Sequence, residues 1–193
     1  MGEDKVFDNP RKATDFKFGT EVVTVFDDMV SRSVPFYGEI QRMIAEMGKD
    51  YAEAGSNLYD LGCSTGASLL VLDQTVDQEV KFIGIDDSEE MLAKCDKKLQ
   101  EHGIKRDYDL KYADLNQGIE MENASVVNLC LTLQFLRPLD RERLVQQIYD
   151  GMNANGCLIL TEKVLGEDSL INRQFLKYYY EMKRRHNYSD MSS

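Results

Sequence analysis

The sequence predicts an α/β domain built on a parallel sheet with helices on both faces. Three observations predict it. Short apolar runs alternate five times with helical patterns, which is the signature of strand–helix–strand crossovers. A glycine-rich turn, Gly62 to Gly66, follows the first run directly. The second run ends in an acidic pair, Asp86-Asp87, twenty residues beyond that turn.

Residues 1–18 are polar, carry Pro10, and read as an arm or lid. From Glu21 to Val30 the apolar residues Val22, Val25, Phe26 and Met29 share one helix face. Ser33 to Tyr51 reads as a second helix with Pro35 in its first turn and Phe36, Ile40, Met43, Ile44 and Met47 on one face. Tyr37, near its start, is placed to close over a ligand. Residues 1–52 are thus expected to form a helical lid and 53–193 the core of a single domain.

Leu58 to Leu61 is the first strand and Ala67 to Leu72 the first crossover helix. Lys81 to Asp86 is the second strand. Asp87-Ser-Glu-Glu90 has capping-box form and opens a helix that runs to His102-Gly103. Leu110 to Asp114 reads as a third strand, with Asp114 able to accept from an exocyclic amine or simply to cap a turn. Ala124 to Leu133 is a nearly continuous apolar run, as a central strand covered on both faces requires. Pro138 to Tyr149 is a helix closed by Gly151, Asn155-Gly156 a turn, and Cys157 to Val164 the fifth strand. A last helix, Asp168 to Arg185, carries Tyr178-Tyr-Tyr180, rings suited to packing or to a subunit interface.

Composition narrows the functional classes. A chain of 193 residues can bury one substantial core. It shows no apolar run of membrane-spanning length. The formal net charge of −11 disfavours a firm grip on nucleic acid, and Lys183-Arg-Arg185 reads as a solvated helix end. Four scattered cysteines and two distant histidines suggest neither a disulfide framework nor a metal site, so a reduced, cytoplasmic protein is expected.

The chemistry concentrates in Asn57-Leu-Tyr-Asp-Leu-Gly-Cys-Ser-Thr-Gly-Ala-Ser68. Glycine lets the backbone approach a ligand, and a helix start favours oxygen acceptors. An acidic residue ending the second strand is where nucleotide-type folds hold ribose hydroxyls, so an adenosine-containing ligand is expected across the first two strands. Gly62, Ser64 and Gly66 at alternate positions, with Asp60 before them, resemble the first motif of S-adenosylmethionine-dependent methyltransferases. The turn also fits the hydrolase elbow G-x-S-x-G around Ser64, but only His102 and His186 could complete a triad, and little before residue 57 looks like a strand.

Longer stretches are more specific: Val25-Phe-Asp-Asp-Met-Val-Ser-Arg-Ser-Val-Pro-Phe-Tyr37, Tyr59-Asp-Leu-Gly-Cys-Ser-Thr-Gly66, Glu122-Asn-Ala-Ser125, Thr132-Leu-Gln-Phe-Leu136 and Thr161-Glu-Lys163. Through them the chain resembles the carboxy-S-adenosyl-L-methionine synthase family, earlier described as tRNA (uridine-5-oxyacetic acid) methyltransferases. The resemblance implies the Rossmann-like class I methyltransferase fold. It implies S-adenosyl-L-methionine as substrate, with prephenate giving up a carboxyl group and leaving as phenylpyruvate. The sulfonium acidifies its methyl group, so an ylide can capture carbon dioxide. The product, carboxy-S-adenosyl-L-methionine, then serves a partner enzyme that finishes a wobble uridine of tRNA. The family also implies a homodimer.

Matched position by position, the resemblance carries ligand contacts to Tyr37, Gly62, Cys63, Ser64, Asp86, Asp87, Asp114, Leu115 and, at the family's asparagine, Cys130, while the glycine-turn motif adds Asp60 and Gly66 as candidate contacts. Cys130 stands where the family has an asparagine, with Asn128 two residues earlier, and Asp87 replaces an asparagine-like partner of the ribose acid. The family pattern continues through an arginine for the new carboxylate and a C-terminal strand pair, both missing before Ser193. Arg32 and Lys163 are the candidate substitutes for that arginine.

Overall fold

The computed structural model describes residues 20–186, so the polar segment 1–18 lies outside the described residues. The chain divides into two compact units, Glu39–Lys163 and a second made from the two chain ends, up to Gly38 and from Val164.

The larger unit holds five parallel strands, β1 (Asn57–Leu61), β2 (Lys81–Asp86), β3 (Tyr108–Tyr112), β4 (Ala124–Cys130) and β5 (Met152–Thr161), in the order β3-β2-β1-β4-β5. Side chains alternate across a strand, and here they sort into two cores. Leu58, Phe82 and Val126 face the helices α2 (Tyr37–Tyr51), α3 (Ala67–Asp73) and α4 (Glu89–Glu101), meeting Ile44, Leu69, Leu72 and Leu99. Tyr59, Leu61, Ile83, Ile85, Val127 and Leu129 face the other way, against Leu144 and Ile148 of α5 (Pro138–Gly151). The expected parallel sheet covered on both faces is the observed one.

Several boundaries differ from the sequence expectation. The third strand starts at Tyr108, not Leu110, and ends at Tyr112. It lies at the sheet edge, where its register is set by Phe82 opposite Tyr108 and by Lys81, which bridges Asp107 and Asp109 at 3.2 and 2.9 Å. Asp114 therefore falls beyond the strand and caps a short 3₁₀ turn. Asn155-Gly156 does not separate helix from strand. β5 begins immediately after α5, and these residues swell into a bulge between the pairs Ala124–Met152 and Val126–Cys157. Pro35 precedes α2 rather than opening it, in a turn where Phe36 adopts φ 54°. Ser88, not Asp87, caps α4; its Oγ accepts from the Met91 amide at 3.2 Å.

One buried cation fastens the α3–β2 connection. The Arg106 guanidinium lies 3.9 Å from the Phe82 ring centroid, pairs with Asp73 at 2.6 Å, and donates to the carbonyls of Asp73, Val76, Asp77 and Val80. Arg's planar fork suits such a multiple contact.

The smaller unit contains α1 (Thr20–Ser33) and α6 (Ser169–Arg185). Arg32 is committed there: Nε donates to the His186 carbonyl at 2.9 Å and Nη1 pairs with Asp28 at 3.0 Å. Asp168 caps α6, accepting from the amides of Leu170 and Ile171. No described side chain of α6 is buried, and Phe175 and Tyr178 are exposed.

Candidate functional site

The sheet order reverses between β1 and β4, and ligands in such sheets bind beyond the carboxyl ends of the strands at that reversal. The site is built there from the turn after β1. Gly62 adopts φ 75°, and a Cβ on it would come within 2.5 Å of the Thr132 side chain. Only glycine meets both demands. Gly66, at φ 79°, starts α3, where a Cβ would lie 2.6 Å from Cys95 Sγ. Ser64 holds φ 47° and Leu131, just past β4, φ 59°. Two non-glycine residues in the left-handed region thus flank the reversal, strain of the kind that gathers at functional sites.

The turn spends its first amides on β2. The Gly62 and Cys63 N–H groups both donate to the Ile85 carbonyl, and the Ser64 N–H donates to Asp86 Oδ2 at 2.9 Å. Asp86 Oδ1 accepts from the Ser88 amide at 3.0 Å. Asp86 is consequently fixed as an acceptor at the end of β2, buried, with Asp87 exposed beside it. Burial raises its pKa, opposed by those two amides.

Asp60 is more deeply placed, on β1 opposite Asn128 of β4. Asn128 Nδ2 donates to Asp60 Oδ1 at 2.8 Å. Burial pushes the Asp60 carboxyl up to about 7, the Asn128 bond opposing and the Asp86 charge assisting. Cys63 is buried, its thiol pushed up by contact with Cys95 and by burial. Cys130 ends β4, pushed up to about 12 by burial and by the charges of Asp60 and Glu162.

Asp114 and Leu115 follow β3. The Asp114 carboxylate accepts from the Asn116 amide and side chain at 2.8 and 2.9 Å. Burial favours its neutral form, but these donors, Gln117 and the charge of Arg137 outweigh it and lower the pKa. Leu115 is buried among Ile83, Ile85 and Ile119. Lys163 closes the larger unit, whereas Arg32 and Tyr37 belong to the smaller one. Sequence reasoning passed over Gln41 of α2, buried, with Nε2 at 3.8 Å from Cys130 Sγ. Its one signal was a polar residue one turn before Ile44, Ala45 and Gly48. No cluster of three or more metal-ligating side chains occurs among the described residues, and no helix among them is long and apolar enough to cross a membrane.

A family model described as a methyltransferase domain matches residues 58–156 and, with the fold, places the chain among the enzymes of the S-adenosyl-L-methionine-dependent methyltransferase superfamily. Solved structures share the fold. One from Methanococcus maripaludis, assigned as an S-adenosyl-L-methionine-dependent methyltransferase, superposes with a TM-score of 0.64 at 16% identity, over 91% of this chain and 75% of that one. The amino pentose methyltransferase CalS10 of Micromonospora echinaspora gives 0.59 at 18% identity, over 81% and 61%. Curated relatives are far closer in sequence. The carboxy-S-adenosyl-L-methionine synthase of Methylococcus capsulatus is 52% identical over 99% of this chain and 80% of its own length. That of Pasteurella multocida is 39% identical over 99% and 80%. The chain belongs to the carboxy-S-adenosyl-L-methionine synthase family.

Proposed function

We propose that the chain converts S-adenosyl-L-methionine and prephenate into carboxy-S-adenosyl-L-methionine and phenylpyruvate, for use in modifying the wobble uridine of tRNA. The observation that carries this reading is the 52% identity, over nearly the whole chain, to a relative of that name. Two features of the turn after β1 support the reading. Asp86, held by two backbone amides and shielded from water, can accept from ribose hydroxyls. The space above Gly62, which a Cβ would contest with Thr132, admits a ligand close to the backbone. Asp87, Asp114 and Leu115 line the adenosine end in this reading, and Asp60, Cys63, Ser64, Gly66 and Cys130 its remaining length. Bound there, the sulfonium supplies an acidified methyl group as the carbon to be carboxylated. Lys163 is the proposed cation for the new carboxylate. In the same reading the enzyme works in the cytoplasm as a homodimer and leaves the tRNA to its partner.

The test is to incubate the purified protein with S-adenosyl-L-methionine and prephenate and weigh the products. A nucleoside heavier than substrate by one carbon dioxide, formed with phenylpyruvate, is expected. S-adenosylhomocysteine as the product instead, with prephenate intact, would mark an ordinary methyltransferase.

A further inference from the structure

Two of the stretches that single this chain out, Thr132-Leu-Gln-Phe-Leu136 and Thr161-Glu-Lys163, have no assigned part in holding the nucleoside. In the structure they meet. Cys130 and Thr161 form the last pair of the β4–β5 ladder, and the Leu131 amide then donates to the Thr161 carbonyl at 2.8 Å. Leu131 takes φ 59°, and its carbonyl accepts from the Gln134 side chain at 2.9 Å. Thr132 opens the 3₁₀ turn Leu133–Phe135 but gives it no side-chain cap. Its hydroxyl donates back to the Cys130 carbonyl at 3.3 Å. The Leu133 amide, left without a partner by the start of the turn, donates instead to Glu162 Oε1 at 2.6 Å. Glu162 follows β5 directly, so the cap is supplied across the sheet.

What this cap holds is the backing of the glycine turn. Thr132 is 8% exposed and lies against Gly62, where an added Cβ would stand 2.5 Å from both its Oγ1 and its Cγ2. A leucine in the left-handed region is costly, and such strain persists only where the surroundings over-determine it. Here the restraints come from one strand end. The Thr161 carbonyl holds the chain at Leu131, and the Glu162 carboxylate holds it again just past Thr132. Without the second restraint Leu131 is free to relax, and Thr132 moves with it.

We propose that Glu162 is a positioning residue: by capping Leu133 from β5 it fixes Thr132 over Gly62 and so sets the glycine turn for S-adenosyl-L-methionine. The proposal rests on the adenosine reading given above, and its test separates the two. Calorimetric titration with S-adenosyl-L-methionine compares three substitutions. Glu162→Gln keeps the acceptor and removes the charge, and should bind nearly as well as the wild type. Glu162→Asp keeps the charge but draws the carboxylate back by one methylene, and Glu162→Ala removes it. Both should weaken binding about tenfold, since losing a charge-assisted hydrogen bond leaves the capped, binding-competent turn in about one molecule in ten. In a Thr132→Ala background the link is already cut, so adding Glu162→Ala should weaken binding no further. Losses that instead multiply would give Glu162 a route to the ligand other than Thr132 and overturn the proposal. Glu162→Gln as weak as Glu162→Ala would also overturn it, the charge then being what matters. So would Glu162→Ala binding as tightly as the wild type, the cap then serving stability alone. A wild-type chain that does not bind S-adenosyl-L-methionine overturns the adenosine reading and this proposal with it.

Discussion

Asp60 and Asp86 are neighbouring carboxylates with different surroundings. Asp86 accepts two backbone amides, whereas Asp60 has a single Asn128 bond and sits deeper. Asp86→Ala is expected to weaken S-adenosyl-L-methionine binding by about 1–3 kcal/mol, since charge-assisted bonds to a shielded ribose are lost; calorimetry reads it directly. For Asp60 the relevant variable is pH. Its folded-state pKa of about 7 lies above the ordinary carboxyl value, so protonation favours the folded, ligand-free chain. That stabilisation is complete below about pH 4 and is lost as pH rises through about 7, amounting to an order of 4 kcal/mol or less. Thermal melts at pH 5 and pH 8 should show a fall that Asp60→Asn largely abolishes. A cationic ligand should reverse the sign for binding: affinity rises over the same interval in the wild type and stays flat in Asp60→Asn. The Asp60–glycine-turn–Asp86 set was legible in the sequence because its residues are close in the chain or at strand ends. Gln41 was not, because a single polar residue on an apolar helix face looks the same whether it meets solvent or a buried partner.

At the scale of elements, the turns are tuned unequally. Gly62 and Gly103 both adopt positive φ, 75° and 70°, but only Gly62 has Thr132 within reach of an added Cβ. Gly103→Ala should cost about 1 kcal/mol, the backbone term alone. Gly62→Ala should cost distinctly more, and urea denaturation of the pair separates steric from conformational cost. Ser88→Ala, which removes the α4 cap, is expected to cost about 1 kcal/mol by the same assay. The five strands were legible because buried parallel strands are continuous apolar runs. Their ends were not. The start of β3 depends on pairing with Phe82, twenty-six residues away, and the β5 bulge on pairing with Ala124. Neither is a local property of the chain.

At the scale of the molecule, two features dominate. The formal net charge of −11 predicts that a gel-shift titration with tRNA at physiological salt will show no retention. Arg106 ties three consecutive segments of the larger unit through one side chain. Arg106→Ala would strand the Asp73 carboxylate and four carbonyls, and a loss of about 3–5 kcal/mol is expected in denaturant unfolding.

The strand order also dictates a sequence of assembly. β1, β2 and β3 are contiguous in the chain and adjacent in the sheet, so a nascent chain can pair them as they emerge. β4 alone must travel past both to reach the free edge of β1. Until it docks, Asp60 has no Asn128 beside it and Gly62 no Thr132 over it. The seam where the two halves of the sheet close is also the site proposed for the ligand. Substrate present during refolding should capture the newly closed seam and raise the yield of native enzyme, acting as a template for the last step of its own catalyst's maturation.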